Sequence, residues 1–405
     1  MYILGGYQTD FAKNWSRLDL AVFDMLKEVV EGALANADIS PLEIDTAHIG
    51  NFAGELFNKQ AQLGGLFAAI HPDFAGIPTS RHEAACASGS MAVLAASAEI
   101  EAGRYDLACI IGIEEMKNVP ARKAAEYLGS ACWLGKEAVN ATYPWPYLFS
   151  EIAEEYDKRY GLSNVHLAEL AKKNLYNAQS NPNAQTRNWK LDKENFLEDE
   201  QQNPVIEGRL RQIDCGRITD GAACIILASE AYAIEYAKRK DIRLSTIPKI
   251  KGWGHRTATM LLKDKMQESS DSPYVFPHVR RTILDALFRS NIKSIDELDV
   301  IETHDCFTIS EYLAIDHFGL TAPGRSYEAI ESGMIAKDGK LPINPSGGLI
   351  GAGHPVGATG VRMLLDAYKQ VTNTAGDYQI EGSKNVATLN IGGSTTTSAS
   401  FVVGV

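Results

Sequence analysis

The chain repeats itself, and a repeat of this kind limits the folds open to it. Ala33 to Asn51 reads ALANADISPLEIDTAHIGN, and Ala286 to His304 reads ALFRSNIKSIDELDVIETH. Each is the end of a helix, an I-x-x-x-E-(L/I)-D stretch and then a short strand, and the two align with a one-residue slip. A second pair follows. CASGSMAVLAASAEI, from Cys86, and HPVGATGVRMLLDAY, from His354, both run from small residues into an apolar helix. Gly89 and Gly357 sit three residues after the leading residue. Each helix leads to an apolar strand ending at glycine, LACIIG at Gly112 and VATLNIGG at Gly392 and Gly393. Two halves of alternating strands and helices predict an α/β protein whose mixed or parallel sheets are covered on both faces.

Between the halves, from Lys117 to Lys251, the texture changes. Tyr143, Pro144, Trp145, Pro146, Tyr147 and Phe149 form an aromatic and proline patch. An amphipathic helix is expected over Val165 to Ala178, followed by a polar stretch from Gln179 to Gln202. This reads as a long insertion after the strand Leu107 to Gly112, and insertions of that size usually carry binding function. The expected division is therefore a first half over 1–116, an inserted loop domain over 117–215, the last strands of the first half over 216–250 and a second half over 251–405. The net charge of −12 argues against nucleic acid or anionic membrane as a partner, so an anionic ligand would need a local basic patch. No two of the six cysteines form a CxxC pair, which removes zinc-ribbon spacing and favours a reduced, cytoplasmic setting. MYILGGYQTDF reads as a first strand and loop rather than a signal peptide, and no run of 18 apolar residues occurs.

Three segments can carry chemistry. Cys86 lies among small residues at an expected helix start, where orphan N–H groups would lower a thiol pKa and make it a nucleophile. The same residue would also serve as a small buried hydrophobe. His354 lies in the glycine-dense NPSGGLIGAGHPVGATG, which implies tight turns and close backbone approach. A turn-capping histidine fits the same pattern, whereas the phosphate-loop and dinucleotide motifs do not. His304, Asp305 and Cys306 directly follow the apolar strand LDVIE, and the C-terminal ends of such strands line ligand crevices. Cys86, His304, Cys306 and His354 are also ligand types for zinc, but their spacing matches no closed zinc motif, and no metal is expected.

Taken together these segments resemble the thiolase family, in its sterol-carrier-protein-type branch. EAACASGSMA is similar to the family's nucleophile region and GHPVGATG to its catalytic-histidine loop. HDCF resembles that branch's replacement for the NEAF of other thiolases. RLRQIDCGRITDGAA and AKKNLYNAQSNPNAQ resemble the segment leading into the first half's last strands and the loop-domain helix with its exit. The resemblance spans nearly the whole chain in order. It departs at the family's C-terminal CxG motif, whose cysteine is the second acid/base: here the stretch is Asn390-Ile391-Gly392.

The resemblance implies a duplicated five-layer αβαβα fold with two mixed sheets and an inserted loop domain. It implies a reversible Claisen condensation or thiolysis of acyl-CoA thioesters, with acetyl-CoA, acetoacetyl-CoA or longer 3-ketoacyl-CoA as substrates and no further cofactor. Cys86 would carry the acyl group, His354 would take its proton, and Cys306 would inherit the role of the missing cysteine. His304 with His354 would stabilise the enolate, and the N–H groups of Cys86 and Gly392 the tetrahedral intermediate. Trp145, Arg122, Lys123, Arg209 and Arg211, with Lys172 and Lys173, are the residues offered for coenzyme A. A homodimer or homotetramer is expected, as is a small OB-fold protein partner. Two alternatives stand beside this reading: an acyltransferase of the same fold with a non-CoA acceptor such as a phenolic ring, and a non-catalytic acyl carrier or scaffold.

Overall fold

The structure is a computed structural model that describes residues 1–405. The first half places β1 (Tyr2–Gln8), α1 (Val22–Ala37), β2 (Thr46–Gly50), β3 (Thr79–His82), α2 (Ser88–Glu101) and β4 (Leu107–Glu114) in order. The insertion supplies α3 (Ala121–Leu128), α4 (Pro144–Tyr160), α5 (Asn164–Ala178) and a ribbon of β5 (Val205–Glu207) and β6 (Leu210–Arg211) before β7 (Gly221–Ala228). The second half contains β8 (Lys249–Thr257), α6 (Pro277–Arg289), β9 (Val300–Thr303), α7 (Thr308–Phe318), α8 (Thr359–Val371), β10 (Asn385–Gly392) and β11 (Thr397–Gly404).

The duplication is visible in the pairing. The strand order is β3-β2-β4-β7-β1-β8-β11-β10-β9. Outward from the centre, β1-β7-β4-β2 and β8-β11-β10-β9 follow one plan. In each, the two outer strands are parallel and the inner pairs antiparallel. The expected two mixed sheets are here joined edge to edge, because Tyr2 pairs with Lys249. They still bound separate layers. One core lies between α1 and the first half's strands, and another lies on the outer face of the second half's strands, under α6, α7 and the insertion. The third lies between the halves. Ala92, Val93 and Ala96 of α2 and Val361, Leu364 and Leu365 of α8 meet Ile225 from one side and Val386 and Phe401 from the other. Strands such as β4 and β7, buried along their whole length, are apolar on both faces for this reason.

Local chemistry explains the repeated I-x-x-x-E-(L/I)-D stretch. Ser40 with Glu43 and Ser294 with Glu297 form matching capping boxes on short 3-10 turns, each just before a parallel strand. In the insertion, Ser163 caps α5, whose Val165 N–H donates to Ser163 Oγ, so that helix starts one residue before the expected Val165. The buried face of α4, with Leu148, Phe149, Ile152 and Tyr156, joins the second half's core. No helix is long and apolar enough to cross a membrane. The layout brings the C-terminal ends of β4, β9 and β10, and the turns leading into α2 and α8, to one place.

Candidate active site

Cys86 is not in the helix. It sits in the 3-10 turn Ala85–Ala87 that precedes α2, and Ala85 adopts φ +50°, a left-handed conformation uncommon for alanine. The turn aims the sulfur at the N–H of Gly393 and at the residue's own N–H, both of which favour thiolate. The expected lowering of the thiol pKa is nevertheless overturned. Burial, and secondarily the charge of Glu114, push it up to about 12. Exclusion of water outweighs the donors. Glu114 itself accepts four N–H bonds, from the Asn51 side chain, Phe52, Ala53 and Gly357. It thereby ties the end of β4 to the loop that carries His354.

The two histidines are set in different ways. His354 Nδ1 lies 2.7 Å from Thr359 Oγ1, and that hydroxyl donates to Pro355 O at 3.1 Å. The hydroxyl proton is thus spent, so Nδ1 must be the donor and Nε2 holds the lone pair. Nε2 is buried and has no hydrogen-bond partner. Burial, then the charge of Arg362, push the imidazole pKa down to about 3, so this nitrogen is an unprotonated base. His304 follows β9 and donates its own N–H to Leu389 O. Its Nδ1 lies 3.2 Å from Asn390 Nδ2. Burial, then His354 and Arg362, hold its pKa well below the usual range. The rings meet edge to face at 5.2 Å between centroids. One ligand atom each of Cys86, His304 and His354 lie within 4.8 Å of one another.

Cys306 is buried, 3.8 Å from Ser310 Oγ. Burial, followed by the charge of Cys86, lifts its thiol well above the ordinary range. Gly392 ends β10 against the turn before Cys86. A Cβ there would stand 2.2 Å from Ala84 O, so only glycine permits the approach. The N–H facing the sulfur belongs to Gly393, one residue on. Cys86, Cys306, His354 and Gly393 open on a cleft of about 1000 Å³, counted out to its mouth, in which 16 of 22 lining residues are hydrophobic.

The thiolase N-terminal domain matches residues 1–231, and the thiolase C-terminal domain-like family matches residues 263–405. The chain belongs to the thiolase family. It is 31% identical over 400 residues to an acetyl-CoA acetyltransferase of Methanothermobacter thermautotrophicus, covering 98% of this chain and 97% of that one. It is 27% identical to human sterol carrier protein 2, covering 97% of this chain and 70% of the other. Among solved structures, the Ltp2-ChsH2(DUF35) aldolase superposes with a TM-score of 0.78 at 20% identity, covering 100% of this chain and 97% of that chain. The acetyl-CoA acetyltransferase from Syntrophomonas wolfei gives 0.71 at 15% identity, covering 100% and 98%. The thiolase is an acyltransferase.

Not every residue offered for coenzyme A lies in the thiolase's cleft. Trp145 lines it, and its indole N–H donates to Leu128 O. Arg209 pairs with Glu154 and Asp157, Arg211 with Glu200, Lys123 with Glu126, Lys172 with Glu169, and Lys173 with buried Glu311. Arg122 borders a separate polar depression with Glu126 and Glu137. The basic residue inside the cleft is Arg217, which stacks over Trp189 at 5.4 Å. Sequence reasoning missed Arg217, Gly393, Glu114 and Thr359. Arg217 carried a local signal, as a lone arginine in DCGRITDG beside the glycine. Glu114 and Thr359 carried none, because each acts through a partner chosen by the fold.

Proposed function

We propose that this thiolase cleaves and forms 3-ketoacyl-CoA thioesters through an acyl group held on Cys86. The observation that carries the reading is the convergence of the Cys86 sulfur with the imidazoles of His304 and His354, beside a cleft that Cys86, His354 and Cys306 line. With both thiols protonated at rest, the cleavage direction is entered directly. His354 Nε2 takes the Cys86 proton, and the thiolate adds to the 3-keto carbon. The bond between C2 and C3 breaks, leaving an acyl group on Cys86 and the enolate of acetyl-CoA. Cys306 gives its proton to C2. The Cys306 thiolate then accepts the proton of incoming coenzyme A, whose sulfur attacks the acyl-cysteine. Cys86 leaves and regains its proton from His354. Atoms and charges balance without a metal or organic cofactor, and the reverse sequence is the condensation.

His304 and the N–H groups of Cys86, Gly392 and Gly393 are the donors available to developing oxyanions. The apolar cleft, with Trp145 and Phe149 on one wall, supports an acyl chain or pantetheine rather than a charged substrate. A homodimer or homotetramer, a cytoplasmic setting and a small OB-fold partner belong to this proposal. The likeness to an aldolase solved with a DUF35 protein supports the last. Incubation with acetoacetyl-CoA and coenzyme A should yield two acetyl-CoA. Intact mass after mixing with a short acyl-CoA should show one added acyl group, absent in Cys86→Ala. Acyl uptake by Cys86→Ala would overturn the reading.

A further inference from the structure

We propose that Asn390 is a positioning residue that holds His304 as its Nε2–H tautomer, making His304 a hydrogen-bond donor to the enolate oxygen and not a base. This rests on the proposed thiolase reaction and assigns a role to the amide standing where the family's second acid/base cysteine would be.

The orientation of the amide follows from its partners. One terminal atom of Asn390 lies 3.1 Å from the carbonyl oxygen of Cys86. A carbonyl oxygen only accepts, so that atom is the NH2 group. The other terminal atom, the oxygen, accepts from Ser90 Oγ at 2.8 Å, the opposite polarity. The NH2 has a second hydrogen, and it points at His304 Nδ1, 3.2 Å away. Nδ1 must then offer its lone pair, and in a neutral imidazole the proton is on Nε2. The network is buried on every side: Asn390, Ser90 and His304 are each about 1% exposed. Water has no access with which to exchange the roles. Neutrality is imposed separately, by burial and by the neighbouring His354 and Arg362.

The two histidines thus present opposite atoms. Thr359 leaves His354 with a bare Nε2, suited to taking the Cys86 proton, while Asn390 leaves His304 with an N–H. A thiol at 390 would not reproduce this, because a cysteine can be an acid or a base but has no second, fixed donor to share between Cys86 and His304. The asparagine and the cysteine of HDCF are accordingly one exchange: the acid/base moves to Cys306, and position 390 becomes a holder of the histidine.

The test uses two variants. In Asn390→Asp the carboxylate accepts from Nδ1–H and reverses the tautomer. In Asn390→Ala the donor is removed and the ring is free to take either form. Long-range 1H–15N spectra of [15N]histidine-labelled protein, with the His304 signals located by their loss in His304→Gln, should report Nε2–H in the wild type, Nδ1–H in Asn390→Asp and a mixture in Asn390→Ala. Loading of Cys86 from acetyl-CoA, read by intact mass, should persist in Asn390→Ala. Exchange of the acetyl-CoA α-protons with deuterated solvent should fall by about 10²–10³-fold in Asn390→Asp, as expected for one lost oxyanion donor, and by only a few-fold in Asn390→Ala. Wild-type His304 found as Nδ1–H would overturn the proposal. So would equal losses of loading and exchange, which would make Asn390 a mere support of the Cys86 turn. If the wild type showed neither loading nor exchange, the reaction would be wrong, and the spectra would still decide the tautomer.

Discussion

Cys86 keeps its proton because water is excluded around it and Glu114 stands nearby, while His354 stays neutral for the same lack of solvent. No thiolate–imidazolium pair therefore exists at rest. With the thiol at about 12, the thiolate is a small fraction at pH 7–9 and grows with pH throughout that range. Alkylation of Cys86 by iodoacetamide, followed by peptide mass spectrometry, should accelerate about tenfold per pH unit with no plateau. A plateau reached by pH 8 would reveal a preformed ion pair. Cys306→Ala should lose carbon–carbon bond cleavage by about 10²–10⁴-fold, since that thiol protonates C2 of the released enolate and takes the proton of incoming coenzyme A. Wild-type turnover in this variant would make Cys306 structural. Cys86 and His354 were singled out by their small-residue and glycine-rich settings, and Cys306 by its place after the strand LDVIE. Their protonation states were not legible, because Glu114 and Thr359 become partners only through folding.

The elements divide the labour. Helix α3 turns Ala121, Ala125 and Leu128 toward the cleft, positions separated by four and three residues and so on one helical face. Small side chains at two of the three leave room. Ala125→Phe should fill that room and lower the kcat/KM ratio of longer acyl-CoA over acetyl-CoA by about tenfold or more, in line with the worth of a methylene or two in an apolar pocket. An unchanged ratio would move the acyl chain to another wall. Helix α8 is tied to β9 by Arg362, whose Nη1 donates to Asp366 at 2.8 Å and lies 3.3 Å from Glu302, all fully buried. Arg362→Met strands two carboxylates and should cost about 3–5 kcal/mol in urea unfolding. The paired helix–strand units that carry these contacts could be read from periodicity and capping boxes. The ion cluster could not, since Glu302 and Arg362 are 60 residues apart.

Across the whole molecule, buried titratable groups collect where the halves meet, and they respond to acid with opposite signs. His354 has a folded pKa of about 3 against an ordinary 6.5, so its contribution is complete above pH 6.5 and is lost as pH falls toward 3. Burial raises Glu114 and Glu302 to about 7, so their ionisation weakens the fold as pH rises from about 4.5 to 7. The net curve is a sum of both, and the histidine is isolated by difference. Relative to His354→Gln, the wild type should lose stability on going from pH 7 to pH 5, by up to about 1.4 kcal/mol per unit below 6.5. Urea midpoints of both proteins at each pH measure it, and a pH-independent difference would mean that His354 is accessible to protons in the folded state.

Much of this molecule was set by its sequence alone. The two repeated segments specify helix, turn and parallel strand twice. The apolar runs at Leu107 and Val386 demand strands covered on both faces, and glycine at 392 permits the approach to the Cys86 turn. These are short-range matters of period, capping and backbone freedom, and they are decided within a few residues. Only the tertiary structure decided that Tyr2 joins the two sheets at Lys249, that Arg209 and Arg211 are occupied by carboxylates, and that Arg217 faces the cleft. It also decided that Asn390 meets His304 and Cys86 across 86 and 304 residues of chain. A hydrogen-bond partner, a tautomer and a shifted pKa depend on which distant groups the fold brings within 3 Å or so and on how completely it removes water, and neither is a property of any local stretch.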